Sequence, residues 1–254
     1  MADTGFTYVS ASSRSKKKRK NKPHLAAEVP LSIAIERTRA DLCSHTWWND
    51  WSQFINMIVP DLPCRPTHAL CLGLGSPSSS PTSRAQLCLL LDLLVRCEIP
   101  RGNTSIYDPV FAEEDKETLS SLGLSVSLEN KRAKHPCTDP TLVFMPHCPL
   151  RLYENILREN WSARTLSGLI LVANTFSGYV ESIPKRKLQT QAPCLERLAS
   201  LVISHPVPSF RDDPSAFNNT SIQFAPPASL PSHDDQFWVL PQEPELGEGD
   251  GEVV

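Results

Sequence analysis

The spacing of apolar residues changes along the chain, and each change predicts a different kind of element. Between Pro30 and Val59-Pro60 the apolar positions are Ile33, Ile35, Leu42, Trp47, Trp48, Trp51, Phe54, Ile55 and Ile58. That roughly helical period predicts one long amphipathic helix, or two with a break near Ser44–Thr46. From Pro66 short continuous apolar runs alternate with longer amphipathic ones. Thr67–Leu74 reads as a strand closed by Gly73 and Gly75, and Pro81-Thr82-Ser83 opens a Leu-rich helix running through Cys97. Thr104–Tyr107 predicts a second strand ending at Asp108-Pro109, and Glu113–Leu122 an acid-started helix that stops at Gly123. Ser125–Leu128, Thr141–Met145 and Gly168–Ala173 predict three further strands, with a helix over Leu150–Asn160. Beyond Val180 lie ten of the 23 prolines, so that part is expected to be mostly loop, with a helix over Leu195–Ser204 and a last edge strand at Ser221–Ala225.

Strands that are apolar throughout, separated by helices, imply a parallel sheet covered on both faces. The expected class is α/β, a doubly wound, mostly parallel sheet of five or six strands with an N-terminal helical extension. One domain over residues 25–230 accounts for it: helix 30–59, sheet core 66–180 and a Pro-rich part 181–230. Trp47, Trp48 and Trp51 are either core, with at least one indole near the surface, or a partner-binding face.

Charge changes this picture at the ends. The formal net charge of -3 conceals a basic arm, residues 1–24, with a balance of +6, and an acidic tail, residues 231–254, with a balance of -7. Both are poor in residues to bury and are expected to be disordered. The body between them is near neutral and lacks the footprint for direct nucleic-acid binding. The run Lys16, Lys17, Lys18, Arg19 and Lys20 is either a nuclear import signal or a solvated arm. Met1–Ser10 has no basic region leading into an apolar run, and no stretch reaches membrane-spanning length, so neither secretion nor a membrane is expected. The eight cysteines form no C-x-x-C pair, which leaves no zinc or thioredoxin spacing and suggests reduced thiols.

Two segments carry candidate chemistry. Gly73-Leu74-Gly75-Ser76 follows the first strand, where a G-x-G lets a ligand approach the backbone, but Ser78 stands where a third glycine would complete a dinucleotide fingerprint. The loop is therefore closer to one that holds an adenosine ligand such as S-adenosylmethionine, with Asp108 accepting from ribose hydroxyls; the plain alternative is a tight strand-to-helix turn. Pro146-His147-Cys148-Pro149 closes the fourth strand. His147 offers an acid, a base, a metal ligand or a structural imidazole, and Cys148 an axial haem thiolate or a buried thiol. Asn160 and Asn174, at element ends, are either helix caps or, for Asn174, a ligand contact. The motifs G-x-x-x-x-G-K-[ST], G-x-S-x-G and H-E-x-x-H are absent, which removes most kinase and hydrolase readings.

Taken in order, several segments resemble the sensitivity-to-red-light-reduced, or SRR-like, family. They are Cys71-Leu72-Gly73-Leu74-Gly75-Ser76, Tyr107-Asp108-Pro109-Val110-Phe111, Thr141–Cys148, Leu152–Leu157, Asn160-Trp161-Ser162 and Ala173-Asn174-Thr175-Phe176. The resemblance covers about Trp47–Phe224 and leaves out both charged ends. It implies a Rossmann-like α/β domain, a role in circadian-clock regulation and, in some members, an influence on haem biosynthesis; together with the lysine run and the lack of a complete catalytic signature, it leads to the expectation of a regulatory protein in cytoplasm and nucleus, acting through a ligand- or partner-sensing domain on unidentified regulatory partners. It implies no established reaction, so no catalytic residue is assigned. Gly73, Gly75, Ser76, Asp108, His147 and Asn174 stand as candidate ligand contacts, and Cys148 or His147 as a candidate haem ligand. The alternatives are an S-adenosylmethionine-type methyltransferase and a direct haem sensor.

Overall fold

The computed structural model describes residues 29–210 and 213–244. The basic arm, with Lys16–Lys20, and the tail from residue 245 lie outside the described residues. The N-terminal amphipathic stretch is two helices, α1 (Leu31–Ser44) and α2 (Thr46–Ile58), divided at His45, whose extended backbone (ψ 147°) breaks the helical path. Then follow β1 (His68–Leu72), α3 (Pro81–Arg96), β2 (Thr104–Tyr107), α4 (Glu113–Ser121), β3 (Ser125–Val126), β4 (Thr141–Met145), α5 (Leu150–Glu159), α6 (Ala163–Leu166) and β5 (Leu169–Asn174). Ser80 caps α3 by accepting from the Ser83 N–H, and Pro81 fills the first helical position, where a missing N–H costs nothing.

The part expected to be mostly loop is instead built of α7 (Phe176–Ser182), α8 (Lys185–Gln191), α9 (Pro193–Leu198), β6 (Ile203–Pro206), α10 (Pro214–Phe217) and β7 (Thr220–Phe224). Two expectations are corrected here. The helix predicted over Leu195–Ser204 ends at Leu198, and Ile203 begins a strand. The strand predicted at the edge, β7, is interior: it is antiparallel to β5 on one side and to β6 on the other, with all five residues buried. The edge position belongs to β6, which explains how it holds Pro206, a residue unable to donate to a central ladder.

Among the described residues the sheet has seven strands, against the five or six expected, in the order β3-β2-β1-β4-β5-β7-β6. The β3, β2, β1, β4 and β5 ladders are parallel. Alternate residues of one strand enter different cores, as the period-2 side-chain geometry requires. Leu142 and Phe144 of β4 pack with α1, α2 and α3, whereas Val143 and Met145 pack with α5, α8 and α9. Trp47 and Trp51 are buried in the first core, and Trp48 is partly buried against it. The tryptophan cluster is therefore core: Trp47 stacks on Phe217 of α10 (4.9 Å between centroids), and its indole donates to Pro208 O (2.7 Å).

Candidate functional site

The carboxyl ends of β1, β2, β4 and β5 meet in one hydrogen-bonded patch, and the candidate residues lie within it. Because β1 and β4 are neighbours whose onward connections run to opposite sides of the sheet, Gly73–Ser76 and His147-Cys148 flank the point where the strand order reverses. Open α/β sheets place ligands at such a point.

On the β1–β2 side, two buried carboxylates hold the glycine loop. Asp108 accepts from the Gly75 N–H (2.7 Å) and from the Val110 N–H (2.9 Å). Asp115, wholly buried in the first turn of α4, accepts from Ser76 Oγ (2.6 Å), the Ser78 N–H (2.7 Å) and the Ala112 N–H (2.8 Å). Loop N–H groups that would face an anionic ligand in a phosphate-binding loop thus meet carboxylates of the protein itself. The glycines have internal reasons too. Both have positive φ, +69° at Gly73 and +74° at Gly75, which side chains resist. A Cβ at Gly73 would overlap Cys148 Sγ, and one at Gly75 would come within 2.6 Å of Ser83 Oγ. The room left by the missing side chains is filled by Cys148 and Ser83.

On the β4–β5 side the hub is Tyr153, on α5. Its hydroxyl donates to Met145 O (2.6 Å) and accepts from the Cys148 N–H (3.1 Å) and the Asn174 N–H (3.3 Å), joining the ends of β4 and β5. Burial pushes its ionisation well above the ordinary tyrosine range. Asn174 accepts from the His147 N–H (2.9 Å) and donates to Tyr179 Oη (2.9 Å). His147 is exposed and left-handed (φ +57°), a conformation that costs a non-glycine residue about 1 kcal/mol or more. The Asn174 bond and the contact of its ring Nε2 with Ala216 O (3.3 Å) hold it there.

Cys148 is 4% exposed, its thiol donates to Leu72 O (3.4 Å), and burial pushes its pKa up to about 12. An axial haem thiolate at this position requires both deprotonation and an opening of the packing against Gly73. Neither asparagine caps the following helix, in contrast to the plainer expectation. Asn160 accepts from the Cys137 N–H (2.7 Å) and donates to His135 O and Ile156 O, while Ser162 caps α6. Asn174 instead ties the end of β5 to the His147 amide and to Tyr179 of α7.

The structure thus brings Gly73, Gly75, Ser76, Asp108, His147, Cys148 and Asn174 together at the carboxyl ends of the central strands. It adds Tyr153 and Asp115, which had no assigned role although both fall in segments already read as helix. The acid-started pattern of α4 was the signal for Asp115; Tyr153 falls in the family-like segment Leu152–Leu157, but nothing there gave its hydroxyl a role, since its partners are backbone groups at the ends of β4 and β5. Among the described residues no group of three or more His, Cys, Asp or Glu is placed to hold a metal ion, and no helix is long and apolar enough to cross a membrane.

Comparison with known proteins finds the SRR1 domain over residues 52–224. A Mus musculus SRR1-like protein is 38% identical over 134 residues, 52% of this chain and 54% of the relative. A Drosophila melanogaster SRR1-like protein is 30% identical over 171 residues, 67% of this chain and 59% of the relative. The Arabidopsis thaliana Protein SENSITIVITY TO RED LIGHT REDUCED 1 is 36% identical over 111 residues, 44% of this chain and 40% of the relative. The chain therefore matches about half the length of these relatives.

Proposed function

This chain belongs to the SRR1 domain family, and from that premise we propose that it is a regulatory protein acting on circadian-clock gene expression and on haem biosynthesis. The observation that carries the regulatory reading is the family match together with a relative named for reduced sensitivity to red light. The chemistry at the carboxyl ends of the central strands is consistent with it. Asp108 and Asp115 are engaged in holding the glycine loop, and the Cys148 thiol is enclosed and protonated, so three groups suited to catalysis serve the architecture. The domain works in this reading through protein partners, in cytoplasm and nucleus, with Lys16–Lys20 as the import signal. Cells depleted of the protein should show a changed period or amplitude of a clock-gene reporter, restored by the wild-type chain. Replacing Lys16–Lys20 by alanine should remove nuclear signal from a fluorescent fusion. An unaltered rhythm after depletion overturns the clock role, and an unaltered distribution overturns the import signal.

A second reading is favoured by the reversal of strand order beside Gly73–Ser76: an adenosine ligand, with S-adenosylmethionine as the candidate and Asp108 near its ribose. It requires that Asp108 accept from the ligand with lone pairs left over from Gly75 and Val110. Titration calorimetry with S-adenosylmethionine decides it, and no heat at millimolar ligand removes it. Haem sensing, narrowed by the enclosure of Cys148, is carried by His147. A Soret shift on haem titration should disappear in His147→Ala, and a shift that survives places the ligand elsewhere.

A further inference from the structure

The stretch from Pro231 to Pro244, expected to belong to a disordered tail, lies instead along the outer face of α5 and α9. Trp161, just beyond α5, anchors it. Its ring stacks on Phe237 (centroids 5.1 Å apart) and meets Trp238 at 5.9 Å, and its indole donates to Phe237 O (3.1 Å). From there a row of guanidinium groups takes up the carbonyls of the stretch in sequence. Arg197 donates to Val239 O (3.0 Å), Arg158 to Pro241 O (2.8 Å) and Arg151 to Pro244 O (2.9 Å). Glu243 ends the row between Lys134 (3.0 Å) and Arg151 (3.3 Å).

The groove groups that make these contacts, indole, guanidinium and ammonium, are donors with no acceptor capacity. They read carbonyls and a carboxylate and ask nothing of backbone N–H groups, so prolines at positions 241 and 244 fit without loss. One groove residue is also held by contacts outside the segment. Arg158 is paired with Glu154 (3.4 Å), which is fully buried and accepts from the Cys194 and Leu195 N–H groups at the start of α9. Lys134, Arg151, Arg158, Trp161 and Arg197 all fall inside the matched domain, residues 52–224, whereas the segment that fills the groove lies outside it.

We propose that this groove is a recognition site for an extended partner peptide with two adjacent aromatic residues followed, about six positions after the first, by a carboxylate in a proline-containing stretch. Residues 236–244 occupy it in cis. A tethered segment competes at an effective concentration in the millimolar range, so a partner of this chemistry binds only by lifting the strap. The strap therefore sets the threshold for engagement.

The test uses the full-length chain and a fluorescent synthetic peptide of residues 232–244, followed by anisotropy. The double variant F237A/W238A weakens the strap, and the peptide should bind it at least tenfold more tightly than it binds the wild-type chain. Adding R151E to that variant should abolish the gain, and a scrambled peptide should not bind. If F237A/W238A does not fold, E243K, altered at a half-exposed side chain, carries the same comparison with the wild type. Equal affinity for wild type and released variant, no binding to the released variant at millimolar peptide, or a gain that survives R151E overturns the proposal.

Discussion

Gly73 shows how one position can look functional for a structural reason. Its G-x-G setting suggests a ligand pressed against the backbone, yet the atom pressed against it is Cys148 Sγ. Gly73→Ala adds a Cβ to a left-handed residue and overlaps that sulfur, so we expect a loss of about 2–4 kcal/mol in urea unfolding. Cys148→Ala should recover the overlap part in the double variant, leaving about 1 kcal/mol from φ alone; additive losses would show that the two side chains do not meet. Tyr153→Phe leaves buried amides of Cys148 and Asn174 and the carbonyl of Met145 short of a partner. It should cost about 1–3 kcal/mol, read as a lower denaturation midpoint with unchanged slope. Gly73, Asp108 and His147 were legible in the sequence because each follows an apolar run, at the carboxyl end of a strand where open α/β sheets bind ligands. Tyr153 was not, since a tyrosine on an amphipathic helix reads as apolar surface, and its role depends on which strand ends come within reach of the hydroxyl.

Among elements, the α2–α3 pair was foreseen as two helices but not as a polar clasp inside an apolar contact. The Trp51 indole, fully buried, donates to Asp92 (2.7 Å), which also pairs with Arg96 (2.6 Å), and Arg96 reaches back to Ser52 and Asn56 on α2 (both 3.0 Å). Asp92→Ala removes the acceptor of the buried indole N–H and the carboxylate partner of Arg96, which keeps only Ser52 and Asn56. We expect a loss of about 2–3 kcal/mol in thermal or urea unfolding, against less than about 1 kcal/mol for Lys116→Ala, whose partner Glu113 is exposed. The early strands were legible because each is a short apolar run between turn residues. β6 and the short helices α7 and α8 were not, and α9 was read at the right place but too far along, into β6: β6 carries exposed residues and a proline, and α8 owes its place to one buried residue, Leu188. Such elements form because a neighbour completes their hydrogen bonds or covers a single contact, and periodicity records neither.

For the molecule as a whole, the buried thiols set an alkaline limit. Burial pushes Cys88 and Cys148 up to about 12 and Cys97 and Cys137 up to about 11. An unfolded thiol ionises near pH 8.5 while the folded one keeps its proton, so the unfolded state binds fewer protons above that pH. The contribution of these thiols is fully present below about pH 8 and is lost as pH rises toward 11 and 12. Stability should therefore fall by roughly 1 kcal/mol per thiol per pH unit across that interval. Urea midpoints at pH 8 and pH 10 test this, and equal midpoints would show that the thiols ionise alike in both states.

The sequence alone determined the α/β class, the first five strands, the helical character of the N-terminal stretch and the family, because local apolar period and ordered short motifs are properties of neighbouring residues; the choice between one N-terminal helix and two was settled by the extended backbone at His45. Tertiary structure decided the sheet order, the interior place of β7, the partners of Asp108, Cys148 and Tyr153, and the docking of residues 231–244 beside Trp161. Those features rest on contacts between residues far apart in the chain. Whether a carboxylate, a thiol or an acidic tail faces solvent or another part of the protein is fixed only when the fold brings its partners to it.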